Sequence, residues 1–296
     1  MKETHIGGQA VLEGVMLRGK KNWVVAVRKP DQRITVAERK TLGLTDRASF
    51  LKWYVFRGVV ALVETLILGV RALGISAEEA TEDDVKITPR DMTLSIILAI
   101  VFAVGLFIVI PVGLTRTVDN YVASVVVLNV IEGILRIAIF FGYILFVSRI
   151  KDISRVFEYH GAEHKVINAF EAKDELTTEA CSKYSTQHVA CGTSFMLLVM
   201  VVSILVFSLL GKPTILFRVF SRLLVIPFVA GISYEIIKVA RKYRNFWLTK
   251  IVMAPGLWLQ KLTTREPSSD QLEVALFSLT KLLDLEGIKK PETEAN

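Results

Sequence analysis

The stretch MTLSIILAIVFAVGLFIVIPVGLT, residues 92–115, contains no charged residue, and it constrains the fold more than any other feature of the chain. A spanning helix needs about 20 apolar residues, and inside lipid every backbone polar group must be satisfied within the segment. Three further segments read the same way. One runs from about Val125 to Ser148, interrupted by Asn129, Glu132 and Arg136. One starts at Phe195 and reaches Leu210, short unless the preceding CGTS is partly submerged. The last runs from about Leu216 to Ile237 and carries Arg218, Arg222 and Glu235. The chain therefore reads as mainly α, a polytopic membrane protein with about four transmembrane helices in contact with the lipid bilayer.

Charge in the connections sets the orientation, because Lys and Arg collect on the cytoplasmic side. The loops RTVDNYVAS and GKPT hold one basic residue each. Arg90 precedes the first span, Arg149, Lys151 and Arg155 follow the second, and Lys238, Arg241, Lys242 and Arg244 follow the fourth. Both termini and the long middle loop are thus expected to be cytoplasmic. The opening MKETHIGGQAV lacks the basic and apolar regions of a signal peptide. A net charge of +7 arises from 36 basic and 29 acidic residues without an arginine- or lysine-rich run, so nucleic acid is not an expected partner.

Outside the spans, residues 1–45 read as a small β unit. AVLEGVMLRG, NWVVAVRK and RITVAERK are its β-branched runs, the last two joined through KPDQ. Residues 46–91 hold a helix whose apolar run between Arg57 and Arg71 is interrupted by Glu64 and too short to span. It reads as an interfacial or re-entrant helix, or as a core helix packed on the others. Residues 92–148 carry the first two spans, 149–192 a cytoplasmic loop and helix, and 193–237 the last two spans. Residues 238–296 hold interfacial segments with Trp247 and Trp258, then an amphipathic helix. In that helix Asp270 is the candidate cap, Leu272, Leu276, Leu279 and Leu283 form the stripe, and a frayed tail follows Gly287.

Chemistry concentrates in EYHGAEHKVINAFE, residues 158–171. On a helix of about 100° per residue, His160, His164 and Glu171 fall within roughly 40° of one another, with Asn168 beside them and Glu163 on the flank. Two imidazoles one turn apart can bind a divalent metal, a carboxylate can add an oxygen ligand, and a neighbouring glutamate can act as base on a water. The letters also fit H-x-x-E-H, an inverted zinc-protease pattern, although Gly161 lowers helix propensity inside it. YSTQHVACGTSF brings His188 and Cys191 to the same side of the membrane, completing a set of three nitrogens and one sulfur acceptable to zinc. The bland reading makes these histidines ordinary polar residues of a cytoplasmic helix and Cys191 a small apolar residue. His5 is incidental.

A second constellation lies within the spans. Glu132 and Arg136 stand four apart, as do Arg218 and Arg222. Charges at such depth must face one another or a wet cavity, either as an interhelical salt-bridge lock or as a polar or anionic lipid-headgroup site. In the opening segment, Gln9, Glu13 and Arg18 are weaker candidates to line a site.

Taken in order, GGQAVLEGVMLRG, FRGVVALVETL, YHGAEHKVINAFE, YSTQHVACGTSF and TTREPSSDQLEVA resemble the YqhQ-like family of bacterial multi-pass membrane proteins, over about residues 6–285. The resemblance implies a plasma-membrane location and a metal-dependent enzyme with His160, Glu163, His164, His188 and Cys191 as its candidate residues. In that family Pro and Arg often stand where this chain has Val189 and Ala190, which leaves both candidate ligands in place. The leading expectation is a hydrolase-like membrane enzyme using a divalent metal, zinc for choice, with Glu163 as general base. The competing expectation is a non-catalytic membrane factor that binds a protein partner or a homo-oligomer, for example in secretion or quality control, with a structural His/Cys cluster.

Overall fold

The fold was analysed in a computed structural model of the chain, which describes residues 6–44, 49–81, 88–209, 214–243 and 246–291. His5, Leu210 at the end of the expected third span, the connecting residues 211–213, Arg244, residues 45–48 and 82–87 of the expected linker regions and the tail from 292 lie outside the described residues. The side chain of Arg241 does too.

The N-terminal unit is a four-stranded antiparallel meander in the order β1-β2-β3-β4: β1 Gly7–Val11, β2 Gly14–Arg18, β3 Asn22–Arg28 and β4 Ile34–Lys40. AVLEGVMLRG, read as one run, is a hairpin. Val11 pairs with Gly14 across a Leu12–Glu13 turn, and Glu13 takes a positive φ of 51°. Gly14 is required there, since a Cβ would lie 2.2 Å from the carbonyl oxygen of Ala26 on the neighbouring strand. Successive strand residues point to opposite faces, and here both faces are covered. Val15, Leu17, Val24 and Ala26 enter one core, while Val11, Met16, Trp23, Val25 and Val27 enter another. A run apolar at every position, such as WVVAV, has the composition of a strand buried on both sides.

The second core is closed by α1, Tyr54–Ala80, through Leu68 and Ala72. Here the sequence reading needs correction. The apolar run between Arg57 and Arg71 is not the limit of the helix's reach; the helix has 27 residues and is long and apolar enough to cross a membrane from Phe56 to Ala80. Glu64, which seemed to interrupt it, is buried and accepts a 2.6 Å bond from Arg18 of β2 and a 2.7 Å bond from the Gly43 amide. The first turns of α1 pack on a later helix, α8 (Ile215–Lys242), where Arg57 pairs with Glu235 and a Cβ at Gly58 would lie 2.8 Å from the Gly231 backbone.

Three more helices have spanning length and composition. α2, Pro89–Val104, is opened by a Thr88 and Asp91 capping box and continues through a π-turn at Gly105–Val109 into α3, Ile110–Arg116. α4 is Val125–Val147 and α8 is Ile215–Lys242. The surface of α2 is almost wholly uncovered: Leu94, Ile97, Leu98, Ile100, Val101 and Phe102 are each more than half exposed. An apolar surface on that scale belongs in lipid, and the chain is a membrane protein. The expected third span is α7, Gly192–Ser208, whose 17 residues fall short of spanning length. Four helices of spanning length and composition are thus present among the described residues, and α1 is one of them.

The first core of the sheet is closed by α5, Lys151–Ala172, and α10, Ser269–Glu286, with the short α6, Thr178–Ser182, at its edge. The stripe of Leu272, Leu276, Leu279 and Leu283 is buried there. Its cap is Ser268, reciprocated by Gln271 in a capping box, and Asp270 falls inside the first turn. Serine wins because its short side chain reaches the Gln271 amide from the residue just outside the helix. α9, Trp247–Thr263, links the spans to α10 and carries Trp247 and Trp258 exposed.

The Arg18–Glu64 pair fastens α1 to the sheet. Arg18→Ala removes one partner of a buried carboxylate and is expected to destabilise the protein by about 1–3 kcal/mol, read as a lower melting temperature in detergent. An unchanged midpoint would show that the Gly43 amide suffices.

Candidate metal centre

α5 is a polar helix that is nevertheless buried. One face, with Tyr159, Ala162 and Val166, packs into the first core of the sheet. The opposite side meets two segments without regular structure, residues 183–190 and the strap after α9. Arg265 of that strap donates its backbone amide to the Phe157 carbonyl at 2.9 Å. The strap explains Gly161, since a Cβ there would lie 2.0 Å from the Arg265 carbonyl oxygen. The residue that weakened the helix reading is thus the one that lets a second backbone lie against the helix.

The two imidazoles are oriented by backbone carbonyls. His160 Nδ1 is 2.8 Å from Thr263 O, and His164 Nδ1 is 2.6 Å from Thr186 O. A carbonyl oxygen only accepts, so Nδ1 carries the proton in each ring and Nε2 of the neutral ring presents a lone pair. Burial pushes the His164 pKa down, against hydrogen bonds to Cys191 and Thr186 that raise it, and favours that neutral form. The ring centroids are 4.4 Å apart.

Cys191 completes the group. It is the N-cap of α7, where Sγ accepts from the Thr193 amide at 3.4 Å and sits 3.1 Å from Thr193 Oγ1. His160 Nε2 lies 3.2 Å from this sulfur, and ligand atoms of His160, His164 and Cys191 all lie within 4.8 Å of one another. Zinc–nitrogen bonds of about 2.0–2.1 Å and a zinc–sulfur bond of about 2.3 Å set tetrahedral neighbours some 3.3–3.6 Å apart. Two imidazoles, each with its second nitrogen anchored, and one sulfur form a donor set of the kind zinc takes, and atoms as far as 4.8 Å apart would close by about an ångström to hold it.

The other expected site residues stand around this group. Glu163 is buried, with Oε2 3.8 Å from His164 Nε2. Burial pushes its pKa up, against the pull of His160 and His188 in the other direction. Its carboxylate abuts β1, where a Cβ at Gly8 would lie 2.4 Å from Oε1. His188 is outside the three-residue group. Its ring centroid is 5.8 Å from that of His164, and its Nε2 is 3.5 Å from Glu171 Oε2. Its backbone is clamped by Gln260, which accepts from the His188 amide at 2.8 Å and donates to the His188 carbonyl at 2.9 Å. His188 and Glu171 border a cavity of about 270 Å³ together with Asn168, Gln187 and Leu257. Cys181 is a core residue whose thiol is pushed up to about 11 by burial and the nearby Asp174.

The intramembrane charges do meet. Glu132 accepts from Arg136 at 2.9 Å and from Arg222 at 3.2 Å, and Arg222 also donates to Asn129 at 2.6 Å. Arg136 reaches the Phe107 carbonyl in the π-turn at 2.8 Å, and Arg218 lies 3.8 Å from Asp119. The weaker candidates of the opening segment fasten the sheet. Arg18 holds Glu64, Glu13 pairs with Arg155 and accepts from Tyr159, and Gln9 lies against Gly69. The sequence reading did not find Thr186, Thr193, Gln260 or Thr263, two of which act through backbone carbonyls that leave no trace in side-chain identity.

Residues 53–285 match the family described as "Protein of unknown function (DUF1385)", and the chain belongs to that family. It is 36% identical over 303 residues to the "Uncharacterized protein YqhQ" of Bacillus subtilis (strain 168), covering 96% of this chain and 94% of the relative. No solved structure matches the chain at a significant level.

Gly161→Ala forces the strap off α5 and pulls Thr263 from His160. Overpacking of this kind costs about 1–3 kcal/mol. Gly142→Ala, at a position with nothing within 4 Å, serves as the control. Melting curves should separate the two variants, and equal midpoints would contradict the close approach.

Proposed function

We propose that this member of the DUF1385 family is a metal-dependent membrane enzyme of the hydrolase type, with zinc on His160, His164 and Cys191 at the cytoplasmic face of a bacterial plasma membrane. The observation that carries this reading is the pair of Nδ1 anchors. Both rings are held by carbonyls so that their Nε2 lone pairs converge with Sγ of Cys191. Three protein ligands leave a fourth position, which is the stoichiometry of catalytic rather than structural zinc. A divalent metal held there supplies Lewis acidity, lowering the pKa of a water and polarising an acyl or phosphoryl oxygen.

The chain's own residues do the rest. Glu163 stands beside the His164 ring, within about one further bond length of hydrogen-bond reach, and is suited to take a proton at Oε2. Its burial, which favours the protonated form, suits it to hold that proton until a leaving group takes it. Gly8 keeps the carboxylate in place by having no side chain. The cavity bordered by His188 and Glu171 reaches Val189 and Ala190, next to Cys191 in the chain, and would give a substrate somewhere to bind. The cytoplasmic placement rests on Arg149, Lys151, Arg155, Lys238 and Lys242, which lie at or just beyond the C-terminal ends of α4 and α8.

Metal content tests the reading without a substrate. Protein purified in detergent, without a metal-binding tag or chelator, should carry about one zinc per chain by plasma mass spectrometry. His160→Ala, His164→Ala and Cys191→Ser should each lose most of it, whereas Glu163→Gln and His188→Ala should keep it. Metal-free wild-type protein would overturn the proposal. Loss of zinc in His188→Ala would turn the centre into a closed four-ligand site and overturn the catalytic role.

A further inference from the structure

The buried charges between α3, α4, α7 and α8 form pairs but do not balance. Arg136, Arg218 and Arg222 are opposed by two carboxylates, Glu132 and Asp119. Arg136 is fully engaged by Glu132, the Phe107 carbonyl and Ser203. Glu132 already serves both Arg136 and Arg222. The remaining polar neighbours turn inward on their own helices: the Ser221 hydroxyl donates to the Arg218 carbonyl, and the Thr115 hydroxyl donates to the Pro111 carbonyl. Phe207 offers Arg222 only its ring face, 4.5 Å from the guanidinium carbon.

Two donors are left over. Arg218 Nε and Arg222 NH1 are buried with no hydrogen-bond partner among the described residues. Their side chains are 2% and 0% exposed, so water does not serve them from the surface. A salt-bridge lock accounts for Glu132, Arg136 and one edge of Arg222. It accounts for neither the surplus positive charge nor the unused N–H groups, and an uncompensated buried charge is strongly unfavourable.

We infer that this cluster binds an oxyanion of the phosphate class at the end of the helices remote from α5. Guanidinium edges select oxyanions because their N–H groups can be matched by several oxygens of one ligand. Arg218 and Arg222 stand four residues apart on the same helix, about 6 Å along its axis, a separation that an anion with several oxygens can bridge. Charge then chooses the form. Among the described residues, three guanidinium groups against two carboxylates leave one positive charge, which a phosphodiester with its single negative charge neutralises. The surroundings point to the source. Leu216, Phe217 and Phe220, beside Arg218 on α8, are 84%, 60% and 63% exposed, a bed for acyl chains next to the site. The occupant is therefore the phosphodiester headgroup of a phospholipid. The inference is independent of the metal centre.

The test uses full-length protein purified in detergent and washed extensively. Phosphorus bound per chain is measured after extraction, and melting temperature is followed with short-chain phosphatidylglycerol or with inorganic phosphate, each at constant ionic strength. Wild-type protein is expected to retain about one phospholipid per chain, or to be stabilised by the short-chain lipid if washing has emptied the site. Stabilisation by inorganic phosphate alone would uphold the oxyanion site and assign it a free ligand. Arg218→Gln should weaken binding about tenfold or more, as expected for the loss of a charge-assisted hydrogen bond. If that variant fails to fold, Arg218→Lys decides, because it keeps the charge and removes the Nε–H. Absence of both bound phosphorus and any stabilisation, or unchanged binding in the variant that folds, would overturn the inference.

Discussion

A polar helix whose middle is buried sets the terms for the rest of this structure. α5 carries Glu163, His164 and Lys165 in consecutive buried positions, an arrangement that is tolerable only if each finds a partner. The partners come from two segments that would otherwise be loops. Thr186 takes His164, Ser182 takes Lys165, and Ser185 and Gln187 take Asn168. From the other direction Thr263 takes His160, and Glu266 pairs with Lys165. Satisfying one helix therefore orders the approach to α7, which ends in Cys191, and the strap that leads into α10. The convergence of two imidazoles and a sulfur follows from that satisfaction. Side chains that must bond fixed carbonyls cannot choose other rotamers.

The same dependence marks what the sequence could reveal. Spans, the sheet and the amphipathic α10 were legible because burial against lipid or core imposes a pattern on side chains, an unbroken β-branched apolar run in WVVAV and a leucine stripe in α10. The pairing of His160 with His164 was legible because helical spacing alone brings them together. The reach of Cys191 to them was expected only as part of a larger set, since nothing local fixes how a loop of some twenty residues returns to α5. His188 shows where the reading stops. Its position in the chain resembles that of Cys191, yet the Gln260 clamp on its backbone, contributed by α9, turns its ring toward Glu171. α1 was misjudged for a related reason. Glu64 looked like an interruption in an apolar run, and only the arrival of Arg18 from β2 makes a buried carboxylate acceptable there.

Helix α7 joins the two polar regions, and its length makes sense in that light. A helix that enters lipid from water must cover the full apolar thickness, about 20 residues. α7 has 17. At its start, Cys191 is not in water: it is capped by its own Thr193 amide, packed against the α5 imidazoles and followed by Ser194, which meets Gln260 of α9. Toward its other end, Ser203 and Phe207 lie against Arg136 and Arg222. At 1.5 Å per residue, the 12 to 16 residues from Cys191 to these contacts span about 18–24 Å. Each end thus meets protein polar groups instead of the aqueous phase, so the helix needs no more length than the distance between them. A rigid element tied to an imidazole–sulfur group at one end and an arginine cluster at the other gives both polar regions a common mechanical support. A shift of α7 along its axis would move Cys191 and Phe207 together, so the geometry of either region constrains the other.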